Sequence, residues 1–301
     1  MQFTFTKYRK IFYGFSVILF VGSIASIFMF GLNWGIDFTG GSSLEVAYKE
    51  QNEVPSTESI RQALTDFNLG EIFIQKKGNR GIILKMKNIS ETEHQEILKK
   101  LEELARIEEG TESFQMIGPI IGRELKEKTK TAIILALVAI TFYITLAFRV
   151  VSRPVKSWQY GLASLVALFH DVVIPIGVFA VLGHFYNVEI DLPFIAAILT
   201  VLGFSVHDTI VVYDRIRENL LRTNEKVFDL IINKSLNQTI ARSITTVLTT
   251  LIVLFALFFF GDPTLKYFSL ALIIGISMGA YSSIFIASSL LVTFYRSQIK
   301  K

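Results

Sequence analysis

Residues 192–219 read LPFIAAILTVLGFSVHDTIVVYDRIREN, a stretch long and apolar enough to cross a bilayer as one helix. It carries acid where lipid penalises it. The first half is an apolar run. His207 and Asp208 then stand together, followed by Tyr213, Asp214 and a basic exit at Arg215 and Arg217. With the membrane helix expected to end near Asp214, Asp208 sits about 9 Å inside it at 1.5 Å per residue. A carboxylate at that depth needs a partner, a water-filled cavity or a proton, and ionisable groups in membrane spans are candidate functional sites for that reason. The plainer alternative is a polar tie between helices.

The rest of the chain agrees with a membrane environment. Of 301 residues, 51% are hydrophobic, and the mean hydropathy is +0.48. The net charge of +4 does not point to nucleic acid, because no soluble basic face interleaved with aromatics is present. Cysteine is absent, which removes disulfides, thiolate metal ligands and a cysteine nucleophile. No His-Glu-x-x-His motif occurs, and Gly40-Gly41 lacks the Lys-Ser/Thr that a phosphate-binding loop requires. The expectation is therefore no metal, no cofactor, no nucleic acid and no enzymatic activity.

Six spans are expected: 11–30, 131–148, 158–183, the stretch at 192–219, 240–260 and 267–295. The first follows Lys7, Arg9 and Lys10 and is too long for a secretory signal core. Residues 32–130 differ in kind. Residues 43–49 alternate as a strand, and 56–68 place Ile60, Leu64 and Phe67 at helical spacing behind Ser56 and Ser59 as caps. Residues 71–77 and 81–87 are short strands joined at Gly78-Asn79. Residues 91–106 form a charged helix with Ile97, Leu98, Leu101 and Leu104 on one face, and 111–117 a last strand. The order βαββαβ is the ferredoxin-like arrangement. Residues 118–130 lead into the second span as a mixed-charge linker. Residues 215–242 are polar and basic, with Ile216, Leu220, Val227, Ile231 and Leu236, as expected of one or two helices lying on the membrane surface.

Charge sets the orientation. The N-terminus, residues 149–156, residues 215–242 and the C-terminus together hold fifteen Lys and Arg, whereas the two short loops on the other face hold only Lys266. By the positive-inside rule both termini are cytoplasmic and the α+β domain is extracytoplasmic. The fold class expected is a polytopic α-helical membrane protein of six transmembrane helices with a ferredoxin-like domain between the first and second. The division is 1–31 for the N-terminus and first helix, 32–130 for the external domain with its linkers, and 131–301 for a five-helix membrane domain with a cytoplasmic loop at 215–241 and a basic tail.

Within the membrane the candidate residues are His170 and Asp171 in the third span, His207 and Asp208 in the fourth, and Arg242 at the start of the fifth. Asp171 lies about 20 Å from Trp158, so depth pairs Asp208 with Arg242 rather than with Asp171. Contact with Arg242 favours the carboxylate, and burial without it favours the acid, so making and breaking the contact would move protons. The histidines are candidate relays, with a buried neutral histidine as the alternative. An intramembrane aspartyl protease needs two carboxylates sharing a proton, which a depth difference of about 10 Å opposes. Gly35, Asp37, Gly40 and Gly41 form a glycine-rich segment after the first span, either a plain turn or a hinge.

WGIDFTGG after the first span, GPIIGREL before the second, HDVVIPIG, GFSVHDTIVVYDRIREN and LNQTIARSITTVLTTL form an ordered set that resembles the SecF branch of the SecD/SecF family, within the resistance–nodulation–division superfamily. The resemblance covers essentially the whole chain. It implies an inner-membrane export subunit without cofactor, partnered by SecD, with YajC as a further partner. It also implies action with the SecYEG channel on precursor polypeptides that SecA has pushed in, drawing on the proton gradient. It maps the family's membrane acid onto Asp208 and its basic partner onto Arg242. Asp214, Arg215, Arg217, Glu218 and Asn219 form the motif at the cytoplasmic end. The chain departs from the pattern at His207, where many members carry Asn. A half-size drug or lipid exporter of the same superfamily is the alternative.

Overall fold

The structure, a computed structural model, describes residues 3–50, 54–70, 72–149, 154–222 and 227–299. Glu71 at the start of the expected second strand lies outside the described residues, as do Arg153, Lys226, Lys300 and Lys301 of the basic face. Two compact units are present, residues 34–130 and residues 1–33 with 131–301.

In the first unit, β1 (Gly41–Ala47), α3 (Thr57–Ala63), β2 (Phe73–Lys77), β3 (Gly81–Met86), α4 (Glu91–Leu104) and β4 (Ser113–Ile117) follow the short helix α2 (Ile36–Thr39). The sheet order is β2-β3-β1-β4 with every neighbour antiparallel, the ferredoxin-like arrangement. Alternation puts Leu44, Val46, Ile82 and Leu84 on one face, where Ile60, Ile97 and Leu101 cover them. Gly78 takes φ +60° in the hairpin. The helix expected to reach Arg106 stops at Leu104, because Ala105 turns extended so that Ile107 can bridge Tyr48. Leu104, expected on the apolar face, is therefore left 39% exposed at the helix end.

Helix α4 starts in a capping box. Ser90 Oγ accepts from Glu93 N, and Glu93 Oε2 accepts from Ser90 N at 2.7 Å. Ser90→Ala is expected to cost about 1 kcal/mol, read as a shift in urea midpoint. Hydrogen bonds from the Ser90 backbone and hydroxyl hold the Glu93 carboxyl below its ordinary value of 4.5. A carboxyl depressed by folding contributes stability above its unfolded value, and that contribution is lost as pH falls through the folded one. Glu93→Gln should flatten the acid limb of the pH–stability curve below about pH 4.5.

Six helical paths are long and apolar enough to cross a membrane among the described residues, five of them wholly in the second unit and one, α5, starting in the first and continuing into the second. These are α1 (Arg9–Phe30), α5 (Pro119–Ala147), α6 (Ser157–Tyr186), α7 (Leu192–Arg222), α8 (Phe228–Phe260) and a last path, Pro263–Ile299. The last path comprises α9 (Lys266–Ser282), a π-turn (Ser283–Ala287) and α10 (Ser288–Ile299). Helices α6, α7 and α9–α10 are largely buried and form the core, whereas α1, α5 and α8 are mostly exposed around them. Gly275 and Gly279 let α9 close onto α7. A Cβ on Gly275 would fall 2.3 Å from Val201, and one on Gly279 2.9 Å from Ser205.

Two expectations are corrected. The second span does not begin at residue 131 after a linker. Pro119 starts α5, and Glu124–Lys128 and Glu127–Lys130 pairs at helical spacing carry the helix through the charged run. Nor do residues 215–242 form surface helices. Helix α7 continues past Asp214 to Arg222, and α8 starts at Phe228. Of the apolar positions read as membrane-facing, Ile216 and Leu236 share one core cluster with Phe228 and Ile232, and Leu220 packs against it, whereas Val227 is exposed.

Candidate functional site

Asp208 is buried in α7. Its Oδ1 accepts from Ser243 Oγ of α8 at 2.6 Å, and its Oδ2 is buried without a hydrogen-bond partner. Arg242, the expected partner, is the neighbour of Ser243 on α8 but is exposed and does not pair with Asp208. Arg242 and Ser243 sit at nearly one level of α8 but point about 100° apart, and it is the serine that faces Asp208. His207, the residue before Asp208 on α7, is exposed and points about 100° away from the buried carboxylate.

Asp171 in α6 is fully buried, with both of its oxygens engaged. Its Oδ2 accepts from Ser205 Oγ of α7 and Ser282 Oγ of α9, each at 2.6 Å, and its Oδ1 lies 3.0 Å from His170 Nδ1. His170 Nε2 is buried and has no partner. Because Asp171 meets Ser205, it stands one turn of α7, about 4.5 Å, from the level of Asp208. The expected separation of about 10 Å is wrong because it takes as its origin a helix end at Asp214 that does not exist. Thr209, the residue after Asp208, places its Oγ1 2.7 Å from Ser283 Oγ, which also donates to the Ser205 carbonyl at 3.3 Å. The π-turn begins at Ser283, and such turns recur at functional sites.

The motif Asp214 to Asn219 joins α7 to α8. Arg215 donates to Gln238 Oε1 at 2.7 Å, and Asn219 Nδ2 donates to Ser235 Oγ and Gln238 Oε1, both at 2.8 Å. Glu218 pairs with Arg215 and with Arg222, and Asp214 lies 3.6 Å from Arg217. The N-terminal segment completes this end, with Thr6 N donating to Asn233 Oδ1 at 3.0 Å.

The glycine-rich segment is a close-packed junction within its own unit. Gly35 caps α2, which includes Asp37. Gly40 has φ +77°, and a Cβ there would fall 2.7 Å from Pro119 Cα. Gly41 has φ +148°, with the Met86 carbonyl 2.8 Å from a Cβ. Gly122 of α5 returns the contact, since a Cβ there would fall 2.9 Å from Gly40 N. GIDFTGG and GPIIGREL are thus two halves of one backbone contact.

Among the described residues no group of three His, Asp or Glu is placed to hold a metal. Sequence reasoning misses Ser205, Thr209, Ser243, Ser282 and Ser283. Two signals mark them: the Gly275/Gly279 spacing that predicts close packing, and hydroxyl residues inside otherwise apolar spans.

The family model described as "Protein export membrane protein SecD/SecF, C-terminal" matches residues 96–297, and "SecD/SecF GG Motif" matches residues 25–51. The chain is 41% identical to "Protein translocase subunit SecF" of Thermobaculum terrenum, over 96% of this chain and 92% of that one. The crystal structure of SecDF from Thermus thermophilus, a translocon-associated membrane protein, matches with TM-score 0.83 and 32% identity, over 98% of this chain and 39% of that one. SecDF in the "Super-membrane-facing form" matches with TM-score 0.70 and 31% identity, over 100% and 40%. The chain thus spans about two fifths of the solved SecDF chains.

Proposed function

The chain belongs to the SecD/SecF family as a multi-pass membrane protein of the SecF kind, and on that premise we propose that it couples proton movement to the export of unfolded chains. The observation that carries this reading is Asp208: a buried carboxylate with one donor, one unpartnered oxygen, and Arg242 one helical position away from that donor.

Turning α8 by about 100° would exchange Ser243 for Arg242 beside Asp208. An opposite charge favours the ionised carboxylate, and a dry site with one hydroxyl favours the protonated acid. Cycling between the two arrangements therefore takes up and releases a proton. A charge that crosses the whole field gains about 2.3 kcal/mol per 100 mV, enough to bias a two-state rearrangement. Thr209 and Ser283 pair their hydroxyls and Ser205 donates to Asp171, one turn of α7 from Asp208; these hydroxyls support a proton route toward Asp171 and His170 that needs a further carrier past the Ser205 carbonyl. His207, exposed beside Asp208, lies at the outer side of that route.

Membership in the family supports SecD as the first partner, since the solved SecDF chains hold the matching segment within a longer chain. The proposal extends to the SecYEG channel, YajC and translocating precursors. The basic ends of the helices support cytoplasmic termini and an extracytoplasmic 32–130 domain.

The test is charge at position 242. Arg242→Gln should abolish stimulation of precursor export by a proton gradient, and Arg242→Lys should retain part of it, because lysine keeps the charge and loses the fork. Full stimulation in Arg242→Gln would refute the exchange.

A further inference from the structure

We propose that a lateral groove between α1 and α6 binds one acyl chain of an anionic phospholipid, in the leaflet at the basic ends of the helices. The proposal rests on the chain spanning a membrane and does not depend on proton coupling.

Helices α1 and α6 touch closely where Ser23 lies on Gly177, whose added Cβ would fall 2.3 Å from Ser23 Cβ. Toward their basic ends α1 leans onto the last path, and across from it Phe20 keeps its ring 5.8 Å from that of Phe169 on α6. The Phe12 ring lies 4.1 Å from that of Phe285, and Tyr13 Oη lies 3.0 Å from Thr293 Oγ1. The gap left between them is a groove of about 500 Å³. Val17 and Phe20 form one wall, Leu165 and Phe169 the other, and Ile286 and Leu290 the floor.

Size selects the occupant. A helix is about 10 Å across, so 500 Å³ would hold little more than one of its turns. A transmembrane helix of a partner would leave the groove mostly unfilled, whereas a hydrocarbon tail can enter it lengthwise. Charge selects the headgroup. Arg9 stands four residues before Tyr13 on the same face of α1, and it has no carboxylate partner among the described residues. Trp158 stands seven residues before Leu165 on α6 and is 53% exposed, the placement of an interfacial tryptophan. Lys7 and Lys10 add positive charge at the same end. At the deep end, the groove is closed by the ring of His170, whose Nδ1 faces Asp171. A tail in the groove would keep water from this pair.

The chain has two tryptophans, so Trp34→Phe leaves Trp158 as the only reporter. The full chain is reconstituted in phosphatidylcholine vesicles with increasing amounts of tail-brominated phosphatidylglycerol or tail-brominated phosphatidylcholine, and quenching of Trp158 is read. The anionic lipid should quench at about fivefold lower mole fraction, the worth of one basic side chain at an anionic surface. Arg9→Gln should bring the two curves together. Val17→Phe, which fills the groove and leaves the charge alone, should do the same even if Arg9→Gln fails to insert. Coincident curves in the unaltered groove would overturn the proposal, as would a preference that survives Val17→Phe. Protection of Trp158 from both lipids, in the chain alone or in its complex with a partner subunit, would show that protein covers the groove and would overturn it equally.

Discussion

Asp208→Asn is expected to remove the benefit of a proton gradient for precursor export into inverted inner-membrane vesicles while leaving the complex assembled. The substitution keeps shape and keeps an oxygen to accept from Ser243 Oγ. It removes the ability to ionise and puts an amide donor where Oδ2 stands without a partner. Export with and without the gradient should then coincide at the level that ATP alone supports. The effect is large because no other carboxylate can take over. Asp171 already accepts from Ser205 and Ser282 and faces His170, so it has no oxygen to spare. If the mutant responds to the gradient as the native chain does, Asp208 is a polar tie between α7 and α8. The proton path would then have to be sought in SecD.

The second large effect is at Gly40. Alanine there must adopt φ +77° and ψ 156°, a region essentially restricted to glycine, and must push against the Pro119 backbone at 2.7 Å. Strain and overpacking together are expected to cost about 4 kcal/mol. Gly78→Ala is the control. It also has positive φ, +60°, but nothing lies within 4 Å of its Cβ, so about 1 kcal/mol is expected. Trp34 reports on this unit, since it packs edge-on to Phe38 and lies under Lys126 Nζ at 4.1 Å. In a Trp158→Phe background, urea unfolding of the full chain followed by Trp34 fluorescence should show a much lower midpoint for Gly40→Ala than for Gly78→Ala. Equal midpoints would mean that the contact between GIDFTGG and GPIIGREL yields at little cost, as a hinge would.

Much of this architecture is local physics, written in the residue pattern itself. Six apolar runs of spanning length have one solution in lipid, because each backbone must satisfy its own hydrogen bonds. The period-2 alternation at 43–49 and 81–87 and the turn at Gly78 prescribe the strands whose order the sheet adopts. An acid inside an apolar run identifies itself, so Asp171 and Asp208 are visible as candidates from the residues alone. Tertiary packing decided the rest. Depth along a helix follows from counting residues, but azimuth does not. Ser243 and Arg242 sit at nearly one level, and only the packing of α8 on α7 selects the serine for Asp208. The helix ends expected near residues 214 and 240 are misplaced because charge suggests a boundary, whereas burial of Ile216 against Phe228 and Leu236 rewards continuation. The same error separates Asp171 from Asp208, and the contact of Ser205 with Asp171 brings them within one turn. Serines at 205, 282 and 283 look neutral one by one. They become a polar row only when α6, α7 and α9 close over the glycines that let them meet.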